Sequence, residues 1–202
     1  MFVFVFLFFV FLMTVTFHEV AHGVVAYWRG DRTAYNSGRL SLNPFRHIDL
    51  FWTVLFPILL LVATGGRFSL GMAKPVPVNF SNLKRPKQDM ILVGVAGPLA
   101  NLVFAWLLAA WFHATNFIPL LYGVYLNLGL AFFNLIPIPP LDGSRILAGI
   151  LPNQLARVFD ELERFGFLIV LILYMTGILF KLVLPGVNFF ANLLNVPVMG
   201  FE

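Results

Sequence analysis

Two histidines stand four positions apart, with a glutamate directly after the first: His18-Glu19-Val20-Ala21-His22. On a helix, residues i and i+4 share a face, so both imidazoles can grip one metal ion. Glu19 is offset by one position, placed to act as a base on a water molecule rather than to ligate. Two imidazoles, a carboxylate and an open coordination position form the pattern of a hydrolytic zinc site. In a soluble surface helix so short a pattern arises by chance about as often as it holds a metal. Here the surroundings decide: residues Phe2 to Phe17 carry no charge, and Val24 to Trp28 continue apolar. Ionisable groups inside a hydrocarbon span are expensive, rare and functional by default. A third protein ligand has to come from elsewhere in the chain.

Composition sets the setting for that site. The 202 residues are 60% hydrophobic and 11% charged, with a mean hydropathy of +0.89. Soluble domains are nearer 25% charged, so the chain reads as an integral membrane protein. Its 24 Phe suit lipid-facing helix surfaces rather than a water-facing exterior. There is no cysteine, which excludes disulfides and thiolate ligands and leaves His, Asp and Glu for any zinc. The net charge of +4 follows the loops between apolar runs and is no nucleic-acid signature. The first segment is not a signal peptide, since it lacks a basic start, is too long, and is interrupted by polar residues.

The elements that must position the site follow in order. Residues 2–28 predict a helix of about 40 Å, enough to span a bilayer, with the motif toward its C-terminal end. Residues 30–49 are polar and turn-rich, and the alternation at 39–42 suggests a short strand or hairpin arm. The apolar run 50–63, interrupted by Pro57, is short for a crossing and predicts a re-entrant or interfacial segment. Within the polar stretch 64–89, which includes Gly65, Gly66 and Gly71, Lys74-Pro75-Val76-Pro77-Val78 is held extended by its prolines. It could pair with an unfolded peptide through its backbone, and it could equally be an ordinary proline-rich loop. Residues 90–112 predict a second long helix, whose Gly94, Ala96, Gly97 and Ala100 permit close helix packing.

Residues 118–133 predict a further span, leading into Asn134-Leu135-Ile136-Pro137-Ile138-Pro139-Pro140-Leu141-Asp142-Gly143. Three prolines in four positions unwind the helix, and non-helical backbone at membrane depth is tolerated where it is buried or lines a cavity. Asp142 therefore faces a polar pocket and is the candidate third ligand. Residues 144–164, mixed in charge, predict a helical interfacial connection. Residues 165–184 predict a last span ended by Pro185, with an amphipathic interfacial helix at 188–194. The whole chain, 1–202, reads as a single membrane-embedded domain, its core at about 1–160 and its C-terminal span and tail at about 165–202.

Basic residues are uneven: four in 29–49, five in 65–89, three in 144–164, Lys181 apart, and none in 113–119. If 50–63 does not cross, the three basic groups share one side, which the positive-inside rule makes cytoplasmic. Four crossings follow, with both termini on the opposite side. His18, His22 and Asp142 then approach the cytoplasmic face together. His47 reads as an interfacial loop residue and His113 as a solvated helix end.

These residues resemble the site-2 protease family of intramembrane zinc metalloproteases. The resemblance rests on His18-Glu19-Val20-Ala21-His22, on Asn134…Pro137…Pro140-Leu141-Asp142-Gly143, and on Gly97-Pro98-Leu99-Ala100-Asn101. It implies an all-α polytopic bundle with membrane-associated, strand-like loops and an unwound segment at the active site. It implies one Zn2+ per chain held by His18, His22 and Asp142, with Glu19 as general base. It further implies that Asn134 stabilises the developing oxyanion, that Asn101 lies near the site, and that Pro75, Val76 and Pro77 help present substrate. The expected activity is endopeptidase cleavage in or near transmembrane segments of membrane proteins, with the bilayer and those substrates as partners. Two departures from the pattern stand out: no peptide-binding PDZ domain lies between the motifs, and no spanning helix precedes the first motif. Rival readings are a zinc or proton-coupled transporter, an inactive relative that binds membrane partners, and a plain structural bundle. A transporter would distribute polar residues over paired broken helices, whereas here they cluster and one segment is broken.

Overall fold

The computed structural model describes residues 2–63, 65, 66 and 74–197. Arg67 and Gly71 of the second polar loop and the last five residues of the chain lie outside the described residues. The described part is all-α, with no strand among those residues.

Helix α1 spans Phe2–Trp28. Its buried stripe runs Val10, Thr14, His18, His22, Ala26, every fourth residue, while Phe2, Phe4, Phe8 and Phe9 stay exposed. An apolar exterior on a helix this long is a lipid-facing surface. A four-residue helix α2, Thr33–Asn36, follows the turn after α1.

The expected strand at 39–42 is not formed. Its neighbour is the stretch 74–79, which forms no regular element and where Pro75 and Pro77 have no N–H to place in a ladder. The two stretches are joined instead by the Arg39 guanidinium, whose Nη2 donates to the carbonyls of Lys74 (2.7 Å) and Pro75 (3.3 Å). The loop's cross-link is therefore a side chain, not a sheet.

The apolar run 50–63 is a π-helical turn, Leu50–Leu55, running into helix α3, Phe56–Ala63. None of α3 is buried, and at eight residues it spans about 12 Å.

Helix α4, Pro86–Thr115, is the central element, packed against α1, against helix α5 (Pro119–Asn134) and against helix α6 (Asp142–Ile150). Pro86 opens it at a position where a missing N–H is harmless. Its buried seam again steps by four: Asp89, Val93, Gly97, Asn101, Ala105, Ala109. Small residues along this seam let α1 approach closely. The main apolar core lies where α1, α4, α5 and the C-terminal helix meet, around Val10, Leu108, Leu120, Val124, Leu128 and Val187.

After α6 come helix α7 (Asn153–Leu162), helix α8 (Gly166–Met175) and helix α9 (Ile178–Leu193). The predicted last span differs here. The break falls at Thr176-Gly177, where Gly177 adopts φ +70°, a conformation glycine takes at no steric cost. Pro185 lies inside α9, and residues 188–193 continue that helix with Ala191 buried. A proline is tolerated within an apolar helix when neighbours satisfy the freed backbone, so it does not have to end one.

Among the described residues two helices, α1 and α4, are long and apolar enough to cross a membrane, and a third crossing arises if the α7–α8 arm and α9, bent by 79°, form one broken span. Helix α5, at 16 residues, measures about 24 Å, slightly less than the hydrocarbon core.

Candidate metal centre and its surroundings

Helical spacing puts Thr14, His18 and His22 on one face of α1, one turn apart, with the two imidazole centroids 4.7 Å from each other. That face meets α4 running the other way. The carbonyl of Val93 lies 2.7 Å from Nδ1 of His22, and the Asn101 amide lies 3.2 Å from Nδ1 of His18. Gly97, halfway between, lies under both rings, and a Cβ there would be 2.3 Å from Nε2 of His22. No larger residue fits between these helices at this separation.

Asp142 reaches the same place from α5 through the unwound segment 135–141, turned by hydrogen bonds from Ile138 N–H to the Ile136 carbonyl and from Leu141 N–H to the Ile138 carbonyl. It is the first residue of α6. Gly143 makes this placement possible, because a Cβ there would come within 2.3 Å of the Leu135 carbonyl oxygen and 2.4 Å of that of Ile136. Asp142 Oδ2 then lies 3.2 Å from Nε2 of His18 and 3.3 Å from Nε2 of His22, and the two Nε2 atoms are 3.1 Å apart.

This triangle has the character of a cation site. A carbonyl can only accept, so Nδ1 of His22 must carry its proton and Nε2 then offers a lone pair. That lone pair faces a buried carboxylate oxygen that accepts no hydrogen bond of its own. Lone pairs held this close need a positive charge between them. A tetrahedral ion with bonds of about 2.0–2.1 Å separates its donor atoms by roughly 3.3 Å, which the three measured edges approach. The donor set of two imidazoles and one carboxylate suits zinc and leaves a fourth position open. Around it, Val93 and Asn101 occupy the places from which partners orient ligating imidazoles. The Asn101 oxygen is buried without a partner. With the amide nitrogen and oxygen interchanged, that oxygen accepts from Nδ1–H of His18 and both needs are met.

Glu19, half-buried, does not join the triangle. Its Oε2 accepts a 2.7 Å hydrogen bond from the N–H of Val76, so the loop 74–79 meets the glutamate at that residue. Asn134 ends α5, and its side-chain amide donates to the Leu130 carbonyl of its own helix (3.0 Å) rather than into the cluster. His47, expected at an interface, is 2% exposed; its ring bonds the Ser41 carbonyl and takes no part in the cluster. His113, expected to be solvated, is exposed and bonds the Leu194 carbonyl.

Two further carboxylates hold the frame. Arg29, at the end of α1, pairs through Nε and Nη2 with buried Asp89 in the first turn of α4 (2.7 and 2.6 Å), favourable to both helix dipoles. This pair sets the register that brings Val93 to His22. Asp31 is fully buried and accepts from Thr33, from the N–H of Asn79 and from Asn82. Burial works to raise its carboxyl, and these donors outweigh it, holding it below the usual carboxylate range. Both acids are fully buried where the end of α1 meets the start of α4. The Val93 carbonyl and the Val76 N–H were missed, since backbone groups carry no residue signal, although the four-residue step Val93–Gly97–Asn101 could have indicated the first.

Known proteins agree with this chemistry. Residues 110–177 match Peptidase family M50. The chain is 37% identical over 191 residues to the protein named "Putative zinc metalloprotease YwhC" of Bacillus subtilis (strain 168), covering 88% of this chain and 83% of that one. It is 31% identical over 172 residues to "Putative zinc metalloprotease Rip2" of Mycolicibacterium smegmatis, covering 82% of this chain and 64% of the relative. It is 35% identical over 126 residues to "Zinc metalloprotease MJ0392" of Methanocaldococcus jannaschii, covering 52% and 37%. No solved structure matches the chain. Likeness of this extent over most of both chains, together with a triangle of donors suited to zinc, places the protein in peptidase family M50, the site-2 protease family of zinc metalloproteases.

Proposed function

We propose that this zinc metalloprotease cleaves peptide bonds in or near transmembrane segments of membrane proteins, with His18, His22 and Asp142 as the zinc ligands and Glu19 as the general base. The observation that carries the reading is the convergence of Nε2, Nε2 and Oδ2 within 3.3 Å of one another on apolar helices, next to a carboxylate that is not part of the triangle. Zinc held there supplies Lewis-acid polarisation of the scissile carbonyl and a water acidic enough to ionise near pH 7. Glu19 takes the proton of the attacking water as its oxygen adds to the carbonyl carbon, and delivers that proton to the amine nitrogen as the C–N bond breaks. Val93 and Asn101 keep the imidazoles in the ligating orientation. Asn134, by turning its amide away from Leu130, would donate to the developing oxyanion.

A substrate helix has its amides internally bonded and must unwind before attack. The stretch Lys74 to Val78, beside Glu19, suits an extended substrate strand. Residues 1–202 act as one membrane-embedded unit in this reading. The distribution of Lys and Arg favours several crossings with the site toward the cytoplasm, where water is at hand. The test is Glu19→Gln in purified protein, measured for zinc content and for cleavage of candidate single-span proteins. Zinc should be retained and cleavage lost; cleavage at a near wild-type rate would refute the mechanism.

A further inference from the structure

The stretch Pro75-Val76-Pro77 has one amide hydrogen, because its prolines have none, and that hydrogen is donated to Glu19 Oε2. The other carboxylate oxygen, Oε1, makes no hydrogen bond among the described residues. We propose that the Val76 N–H is the positioning group for Glu19, fixing one oxygen so that the other is left to take the proton. The proposal rests on Glu19 being the base, and its subject is the device that orients it.

Four observations favour a fixed strut over a movable flap. The Val76 side chain is buried at 6% exposure. It is seated in the notch above Gly23, where an added Cβ would lie 2.8 Å from Val76 Cγ1 and 2.4 Å from Leu40 Cδ2. Upstream, the Lys74 N–H donates to the His47 carbonyl (3.0 Å), while the Lys74 and Pro75 carbonyls accept from Arg39. Downstream, the Asn79 N–H donates to buried Asp31 (2.7 Å). The stretch is thus pinned on both sides of Val76, and its one spare donor points at the glutamate. Prolines at 75 and 77 leave no competing N–H and stiffen the chain. A glutamate has three rotatable bonds, so an unpinned carboxylate would populate several rotamers of which few face the metal centre.

The test replaces Val76 in the full chain by its α-hydroxy acid through nonsense suppression, which exchanges the N–H for an ester oxygen and keeps the side chain. The same ester exchange at Ile118, an exposed residue of the connection between α4 and α5, is the companion variant. The probe is a fluorescent single-span peptide with an Asn-Pro pair midway, in vesicles. A hydrogen bond to a charged group is worth enough to change a rate on the order of ten- to a hundred-fold. The Val76 ester should lower kcat by that factor with KM and zinc content unchanged, whereas the Ile118 ester should keep kcat within about threefold. A second readout needs no turnover: the infrared carboxylate band of Glu19, identified as the difference from Glu19→Gln protein, should shift in the Val76 ester and not in the Ile118 ester. An unshifted band, or a Val76 ester with wild-type kcat, overturns the proposal. A wild-type protein that leaves the probe intact, or a Glu19→Gln protein that cleaves it, overturns the proteolytic reading instead, and the infrared band still decides whether Val76 holds the carboxylate.

Discussion

Replacing Gly97 with alanine adds one methyl group at the point where α4 passes beneath the two imidazoles. That Cβ would lie 2.3 Å from Nε2 of His22, 2.6 Å from Cε1 of His18 and 2.7 Å from Cε1 of His22. Ordinary carbon contacts are about 3.5–4.0 Å, so the rings or the helix must move by roughly 1 Å. If the rings withdraw, the 3.1–3.3 Å spacing of the donor triangle is lost. If α4 withdraws, Val93 and Asn101 move away from the two Nδ1 atoms. Displacements of this size around a reacting centre cost about 100-fold, and losing partners behind metal ligands costs about 10- to 100-fold in affinity. Zinc affinity of Gly97→Ala, measured by competition with a chelator of known strength, should fall by at least tenfold, with cleavage falling alongside. Gly129→Ala is the control: a Cβ there meets nothing within 4 Å, and in the interior of α5 the change should stabilise by about 0.5–1 kcal/mol without altering zinc binding. A Gly97→Ala protein that binds zinc within threefold of wild type would refute the packing argument.

Asp142→Asn should weaken zinc retention and abolish activity, while Asp49→Asn should do neither; full zinc occupancy of the Asp142→Asn protein after dialysis against a mild chelator would remove Asp142 from the ligand set. Asp31→Asn should destabilise the protein by about 1–3 kcal/mol near pH 7, the cost of leaving buried donors without their acceptor. Because the Asp31 carboxyl is held low in the folded state, its contribution is present above the ordinary value of 3.8 and disappears as pH falls through the folded value. The stability gap between wild type and Asp31→Asn, followed by denaturant unfolding, should therefore narrow below about pH 4; a gap that stays constant into stronger acid would contradict this. Since the chain has no cysteine, single cysteines placed beside Arg39 and beside Lys84 report sidedness without background. Both should label from the cytoplasmic side, and opposite labelling would show that residues 50–63 cross.

The chemistry of the site was legible wherever its geometry is local. His18 and His22 share a face because of the pitch of any α-helix, and the proline run 137–140 cannot remain helical in any fold. Asp142 could be named as the third donor of the cluster because it follows that broken backbone. What depended on tertiary structure is everything set by the register of α1 against α4. Val93 lies 71 residues from His22, Asn101 lies 83 from His18 and Val76 lies 57 from Glu19. Two of these contacts are made by backbone groups, which every residue carries and no residue type announces. The same limit explains the two differences in the fold. Alternation at 39–42 allowed a strand, but a strand needs donors on its neighbour, and the neighbour has Pro75 and Pro77. Pro185 had the local signature of a helix end, yet the chain bends at Gly177, whose left-handed backbone makes the bend sterically cheap. Residue types therefore determined which chemistry was possible and which faces had to be buried, while long-range packing decided which partners meet each side chain of the cluster.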